Sequence, residues 1–194
     1  MTSNLSTPPS THDAASTALV RPGGNAALVV AGSYVVGFAV MLAYLVPSGF
    51  ASTLDDPAGS LEFLTEHHAV LAGWYLVLYL FGGAAMVLVS LGVGQHLAAS
   101  APGLARLSSA FGLIWSGLLT ASGSLALVGQ NAAVELYADD SDLALSTWVS
   151  TSVVQDALGG GIEVAGALWV ATVGYAVLRT HALSAGIGGL APGP

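Results

Sequence analysis

Cysteine is absent from the chain and so is lysine, which leaves Arg21, Arg106 and Arg179 as the only strongly basic side chains. Without cysteine there is no disulfide, thiolate nucleophile, iron–sulfur cluster or covalently attached haem. Without lysine there is no P-loop phosphate lysine, no pyridoxal aldimine and no retinal Schiff base, so a light-driven pump of the rhodopsin kind is excluded. Three scattered arginines cannot neutralise a run of phosphates, and nucleic acid is not an expected partner. The sequence also carries no metalloprotease helix motif and no glycine-flanked serine elbow. Charge of either sign is scarce, at 7% of residues against roughly a quarter in soluble domains.

Apolar residues are what the chain has instead, 54% of 194 with a mean hydropathy of +0.76, and this composition predicts a membrane protein. Four apolar stretches occupy about residues 26–47, 69–94, 107–130 and 157–178, each long enough to cross roughly 30 Å of hydrocarbon as a helix. Arg21 precedes the first, Arg106 sits between the second and third, and Arg179 follows the fourth. Asp55, Asp56, Glu62 and Glu66 gather in one of the other two connections, and Glu135, Asp139, Asp140 and Asp142 in the other. The formal net charge of −8 therefore describes two loops rather than a solvated surface. Retention of basic loops in the cytoplasm gives both termini inside. The predicted fold is an all-α, four-helix transmembrane bundle in antiparallel order, in the plasma membrane. Residues 1–22, rich in Ser, Thr, Pro and Ala, read as a cytoplasmic tail, 23–181 as the bundle and 182–194 as a second short tail. The run Ala26–Val46 exceeds the 7–15 residues of a signal-peptide core and reads as an anchor. Helices two and four are predicted to start early, since Leu61–His68 and Asp142–Leu158 run into their spans without proline; Pro102 and Gly103 make the second and third a hairpin.

Ionisable groups at membrane depth are costly and mark sites or interhelical contacts. Asp156 and Glu163 are the candidates, seven residues apart and so on one helical face. Counting back from Arg179 puts Glu163 about 24 Å and Asp156 about 35 Å from the cytoplasmic end. The same ruler from Arg106 sets Gln130 and Asn131 level with Gln155 and Asp156, and Ser122 and Ser124 level with Glu163. The expected site is thus an outer-leaflet polar cluster of Gln130, Asn131, Gln155 and Asp156 with Glu163 below, walled by Tyr44, Trp74, Tyr75 and Tyr79. It would take a small ligand or a proton. The competing reading is interhelical hydrogen bonding, each bond worth about 0.6 kcal/mol.

Other residues were weighed for cofactors. His96 and His181 lie near one interface and His67 and His68 near the other, which gives a b-haem reading little depth to work with. Glu62, Glu66 and His67 or His68 suggest an outer metal site, but no Glu-x-x-His pair occurs on a second helix. Acids near a helix start also suit its dipole. No cofactor and no metal are expected.

Leu104-Ala-Arg-Leu107 followed by Gly112-Leu-Ile-Trp115, the loop Leu136-Tyr-Ala-Asp-Asp140, then Asp156-Ala-Leu-Gly-Gly160 and Ala167-Leu-Trp169 leading to Leu178-Arg-Thr-His-Ala-Leu183, resembles prokaryotic multi-pass membrane proteins of domain-of-unknown-function family 4386. Members continue past the arginine turn into further helices, so the resemblance implies a member shortened at its C-terminus. It implies no activity and no catalytic residues. The function expected from the sequence is a non-enzymatic accessory or oligomeric membrane subunit, whose partners are the lipid bilayer and a second copy or another membrane polypeptide. A small-molecule or proton-coupled carrier is the alternative, and a b-haem electron carrier the weaker one.

Overall fold

The computed structural model describes residues 18–160 and 164–180, and all regular structure among them is helical. Four helices are long and apolar enough to cross a membrane. The first, α1 (Val20–Leu45), is α-helical to Val40 and finishes in a π turn, Met41–Leu45. A left-handed Gly49, at φ 99°, then turns the chain into a short 3-10 segment, Phe50–Thr53. The second, α2 (Pro57–Ala98), contains a π turn over Leu76–Phe81 and a non-helical residue at His67. The third, α3 (Pro102–Tyr137), is unbroken. The fourth, α4, comprises Ser141–Gln155, a π turn Asp156–Gly160, and Val164–Thr180.

Local chemistry sets the starts. Asp56 caps α2 by accepting the Ala58 N–H at 3.1 Å, and Pro57 occupies the first turn, where its missing N–H costs nothing. Asp140 caps α4 by accepting the Leu143 N–H at 2.9 Å. Both helices begin ahead of their apolar stretches. At 1.5 Å per residue, the 36 residues of α3 reach about 54 Å, so its ends project beyond roughly 30 Å of hydrocarbon.

Helix α3 is the hub, packing against α2 and both described parts of α4, while α1 packs against α2. Polar side chains share the packed interior with apolar ones, and many large apolar side chains face outward. Ser33, Ser90, Ser108, Ser116, Ser122, Gln130 and Gln155 are buried, whereas Leu28, Val35, Leu42 and Leu178 are 69–78% exposed. That arrangement is stable where the solvent is hydrocarbon, because burying an aliphatic side chain gains nothing there and close backbone packing does. Ser116 Oγ accordingly donates to the Gly83 carbonyl across the α2–α3 interface at 2.6 Å. At the α1–α2 crossing a Cβ on Gly23 would stand 2.9 Å from the Gly92 Cα, so the two backbones touch.

The ends differ in charge. Arg179 lies beside the α2–α3 connection at Ser100–Leu104, and Leu19, next to Arg21, donates its N–H to Gln95 near the end of α2. Arg106 starts α3 at the same end. At the opposite end Asp56, Glu62 and Asp142 line one surface cleft, above an apolar core of Leu45, Leu61, Phe63, Leu64, Leu71, Ala133 and Ala144.

Candidate functional site

Between that apolar core and the middle of the bundle lies a cavity of about 160 Å³. Helix α2 contributes Ser60, Phe63, Leu71 and Tyr75, α3 contributes Gln130, and α4 contributes Trp148, Ser152, Gln155 and Asp156; Phe50, Thr53 and Leu54 close it from the α1–α2 connection. Trp148, Ser152 and Gln155 recur at i, i+4 and i+7, which places them on one helical stripe. Trp148 Nε1 donates to Ser60 Oγ at 3.1 Å and so ties α4 to α2 at the mouth.

Gln130 is the most telling residue of the site. Its side chain is completely buried, and neither Nε2 nor Oε1 has a hydrogen-bond partner. Leaving one such group unpaired costs about 1–3 kcal/mol, and here a donor and an acceptor are both open toward a cavity. Gln155, also buried, is better served. Its side chain engages Tyr75, and its carbonyl accepts Ser122 Oγ at 3.0 Å. Asp156 is exposed at the rim, near Tyr75, and among the described residues no basic group is within ion-pairing distance of it.

Immediately below Asp156 the helix is irregular. The turn Asp156–Gly160 is π-helical and Gly159 has φ 137°, a conformation open to glycine and strained for any other residue. The π turn of α2, Leu76–Phe81, starts directly after Tyr75. Two of the three helices that build the cavity therefore lose regular α geometry beside it.

Of the residues expected at the site, Gln130, Gln155 and Asp156 line this one cavity. Asn131 does not join them: one residue on from Gln130 it is rotated about 100° around α3 and is exposed. Glu163 lies outside the described residues. Ser122 was expected level with Glu163, yet it meets the Gln155 backbone; Arg106 and Arg179 are not level marks, since Gly166 already packs on Trp115, and the irregular turn at Gly159 adds to the offset. Tyr75 is a wall as expected. Trp74 and Tyr79 instead line a separate cavity of about 160 Å³ with Tyr34 and Gly37, where Trp74 Nε1 donates to the Gly37 carbonyl at 3.0 Å. Tyr44 meets His67, hydroxyl to Nδ1, at 3.1 Å. Phe63, Trp148 and Ser152 were missed, although the i, i+4, i+7 stripe ending at Gln155 was there to be read.

The histidine and acidic readings find other geometry. His67 stands 3.9 Å from Glu66 and packs at a tilt against the Phe63 ring, and among the described residues no three His, Asp or Glu come together. His96 borders an apolar groove of about 280 Å³ with Gly23, Val89, Val173 and Val177; His181 lies outside the described residues. Compared with known proteins, the chain matches no family model, no curated protein and no solved structure.

Proposed function

We propose that this is a non-enzymatic carrier of the plasma membrane, with both termini in the cytoplasm, which takes up a small polar molecule in the cavity of Gln130, Gln155 and Asp156 on the outer side. The single observation that carries this reading is the buried Gln130 amide, without a partner on either donor or acceptor, in the wall of a partly open cavity. Interhelical bonding alone would leave it paired.

An antiparallel bundle supports the same site. Gly129 packs against Thr151 while Ser122 bonds Gln155, and Gly166 packs against Trp115, so positions fall along α3 as they rise along α4. Side chains lean toward the N-terminus of their own helix; on two opposed helices Gln130 and Gln155 then lean toward each other. Irregular helix turns at membrane depth, tolerated where they border a cavity, are the arrangement by which carriers build midmembrane sites. Similarity of the third and fourth spans to domain-of-unknown-function family 4386 is part of the proposal and brings no activity with it.

The reading as an accessory or oligomeric subunit has its own observation. Gly24 and Gly32 on α1 and Gly174 on α4 face open space, where a helix of a second copy or of another membrane polypeptide would approach closely. Protein in lipid nanodiscs, screened for thermal stabilisation against neutral, cationic and anionic compounds of about six non-hydrogen atoms, a size known to fill a cavity of about 150 Å³, decides between the two. The carrier reading expects at least one compound to stabilise the wild type and not Gln130→Leu. No such compound, together with co-purification of a second polypeptide, would sink it.

A further inference from the structure

Resting on that reading, we infer that the molecule taken up is a small organic cation, an ammonium compound carrying one hydrogen-bonding group. The walls narrow the class. Among the described residues the cavity is lined by one carboxylate, Asp156, by the aromatic rings of Phe50, Phe63, Tyr75 and Trp148, and by no arginine, lysine or histidine. A carboxylate at the rim with aromatic rings around it attracts an ammonium ion by charge and by the negative faces of the rings. An anion would meet no compensating positive charge there.

The rest of the molecule reinforces the sign. All three arginines sit at the opposite end of the bundle, while Asp55, Asp56, Glu62, Asp139, Asp140 and Asp142 belong to the connections and helix starts around the cavity's own end. The potential at the mouth is therefore negative, and it concentrates cations before any contact is made. Gln130 supplies the second half of the recognition. Its unpaired Nε2 and Oε1 call for a hydroxyl or amide at the far end of the ligand, because a purely hydrocarbon cation would leave both unsatisfied. The cavity volume of about 160 Å³ limits the whole molecule to about six or seven non-hydrogen atoms, by comparison with the benzene-sized cavity of about 150 Å³.

Choline and its uncharged isostere 3,3-dimethylbutan-1-ol share shape and hydroxyl and differ in charge, so they isolate the inference. Binding to the full chain in nanodiscs of zwitterionic lipid is measured by calorimetry for both, for the wild type, Asp156→Asn and Gln130→Leu, with circular dichroism to establish that each variant is folded. We expect choline to bind about tenfold or more tightly than the alcohol, the ratio to fall to about one in Asp156→Asn, and both to be lost in Gln130→Leu. If Asp156→Asn fails to fold, Asp156→Glu, which keeps the charge, must retain the preference. Equal binding of the two compounds, lost in Gln130→Leu, overturns the cation and leaves the carrier reading standing. A preference for choline that survives in Asp156→Asn overturns the assignment to this carboxylate. Binding of neither overturns the cation, and the wider panel of neutral and anionic compounds then tests the cavity itself.

Discussion

At the arginine end of the bundle, Gly23 and Gly92 let two helix backbones touch, Gln95 takes the Leu19 N–H, and Leu97, Ala105 and Ala176 form a small buried core. At the acidic end the core is built of large side chains, Leu45, Phe63, Leu64 and Leu71, and beside it a fully buried glutamine is left without partners. Small residues let backbone meet backbone at the arginine end, and the groove of about 280 Å³ that remains beside Gly23 and Gly92 is almost wholly apolar. Large and irregular ones leave a space of their own, and the side chain facing it is polar where a leucine would have fitted a purely structural role better. Both ends leave space, and they differ in its chemistry. The groove at the arginine end is apolar, and the cavity at the acidic end carries a carboxylate and a buried amide. The acidic end is therefore where binding of a polar molecule is expected.

The largest expected effect breaks the contact end. A Cβ at Gly92 would stand 2.9 Å from both the Gly23 Cα and the Leu19 carbonyl, neither of which can rotate away. Gly92→Leu should therefore destabilise by about 3 kcal/mol, at the upper end of overpacking costs, read as a shift in the midpoint of detergent-induced unfolding. Little change would mean that α1 is not held at this crossing. Next comes the irregular turn of α4. Gly159→Ala puts a Cβ on a residue at φ 137° and should cost about 1–2 kcal/mol; no cost would show that the turn is regular in the bilayer. Gln130→Leu has the opposite sign. Removing an unpaired buried amide should stabilise the empty protein by about 1 kcal/mol, while abolishing ligand-induced stabilisation. A loss of stability would mean that Gln130 is paired in the membrane and that the two ends differ less than described.

How much of this the sequence reveals follows from what each feature depends on. The four apolar helices are legible because length and hydropathy are properties of a segment by itself. Gln130, Gln155 and Asp156 were legible as neighbours because polar residues at membrane depth are few, so even a ruler in error by a turn or two groups them. Asn131 does not line this cavity because depth alone groups it with Gln130, whereas rotation around α3 separates the two. The irregularities could not be foreseen. Gly159 is one of 25 glycines, and nothing local distinguishes it, at positive φ inside a helix, from those that merely let helices approach. Trp148 and Phe63 escaped because they sit in stretches read as lying beyond the membrane, whereas the described helices carry them to the cavity wall.

The smallest effect sharpens the comparison most. Ser122 Oγ is the one described side-chain hydroxyl bonded to the backbone of α4 from another helix, and it reaches Gln155 at 3.0 Å, where α4 passes from α to π geometry. If that bond only glues two helices together, Ser122→Ala costs about 0.6 kcal/mol, the average for a polar contact in a membrane interior, and the affinity of the cavity for its ligand does not move. If the bond fixes the height of Gln155 relative to Gln130, stability changes by the same small amount but affinity falls, because two amides that must engage one ligand are no longer in register. Stability and affinity measured on the same variant separate these outcomes. A fall in affinity without a matching fall in stability would place Ser122 among the residues that position the site, and equal behaviour to wild type in binding would return it to the packing of the bundle.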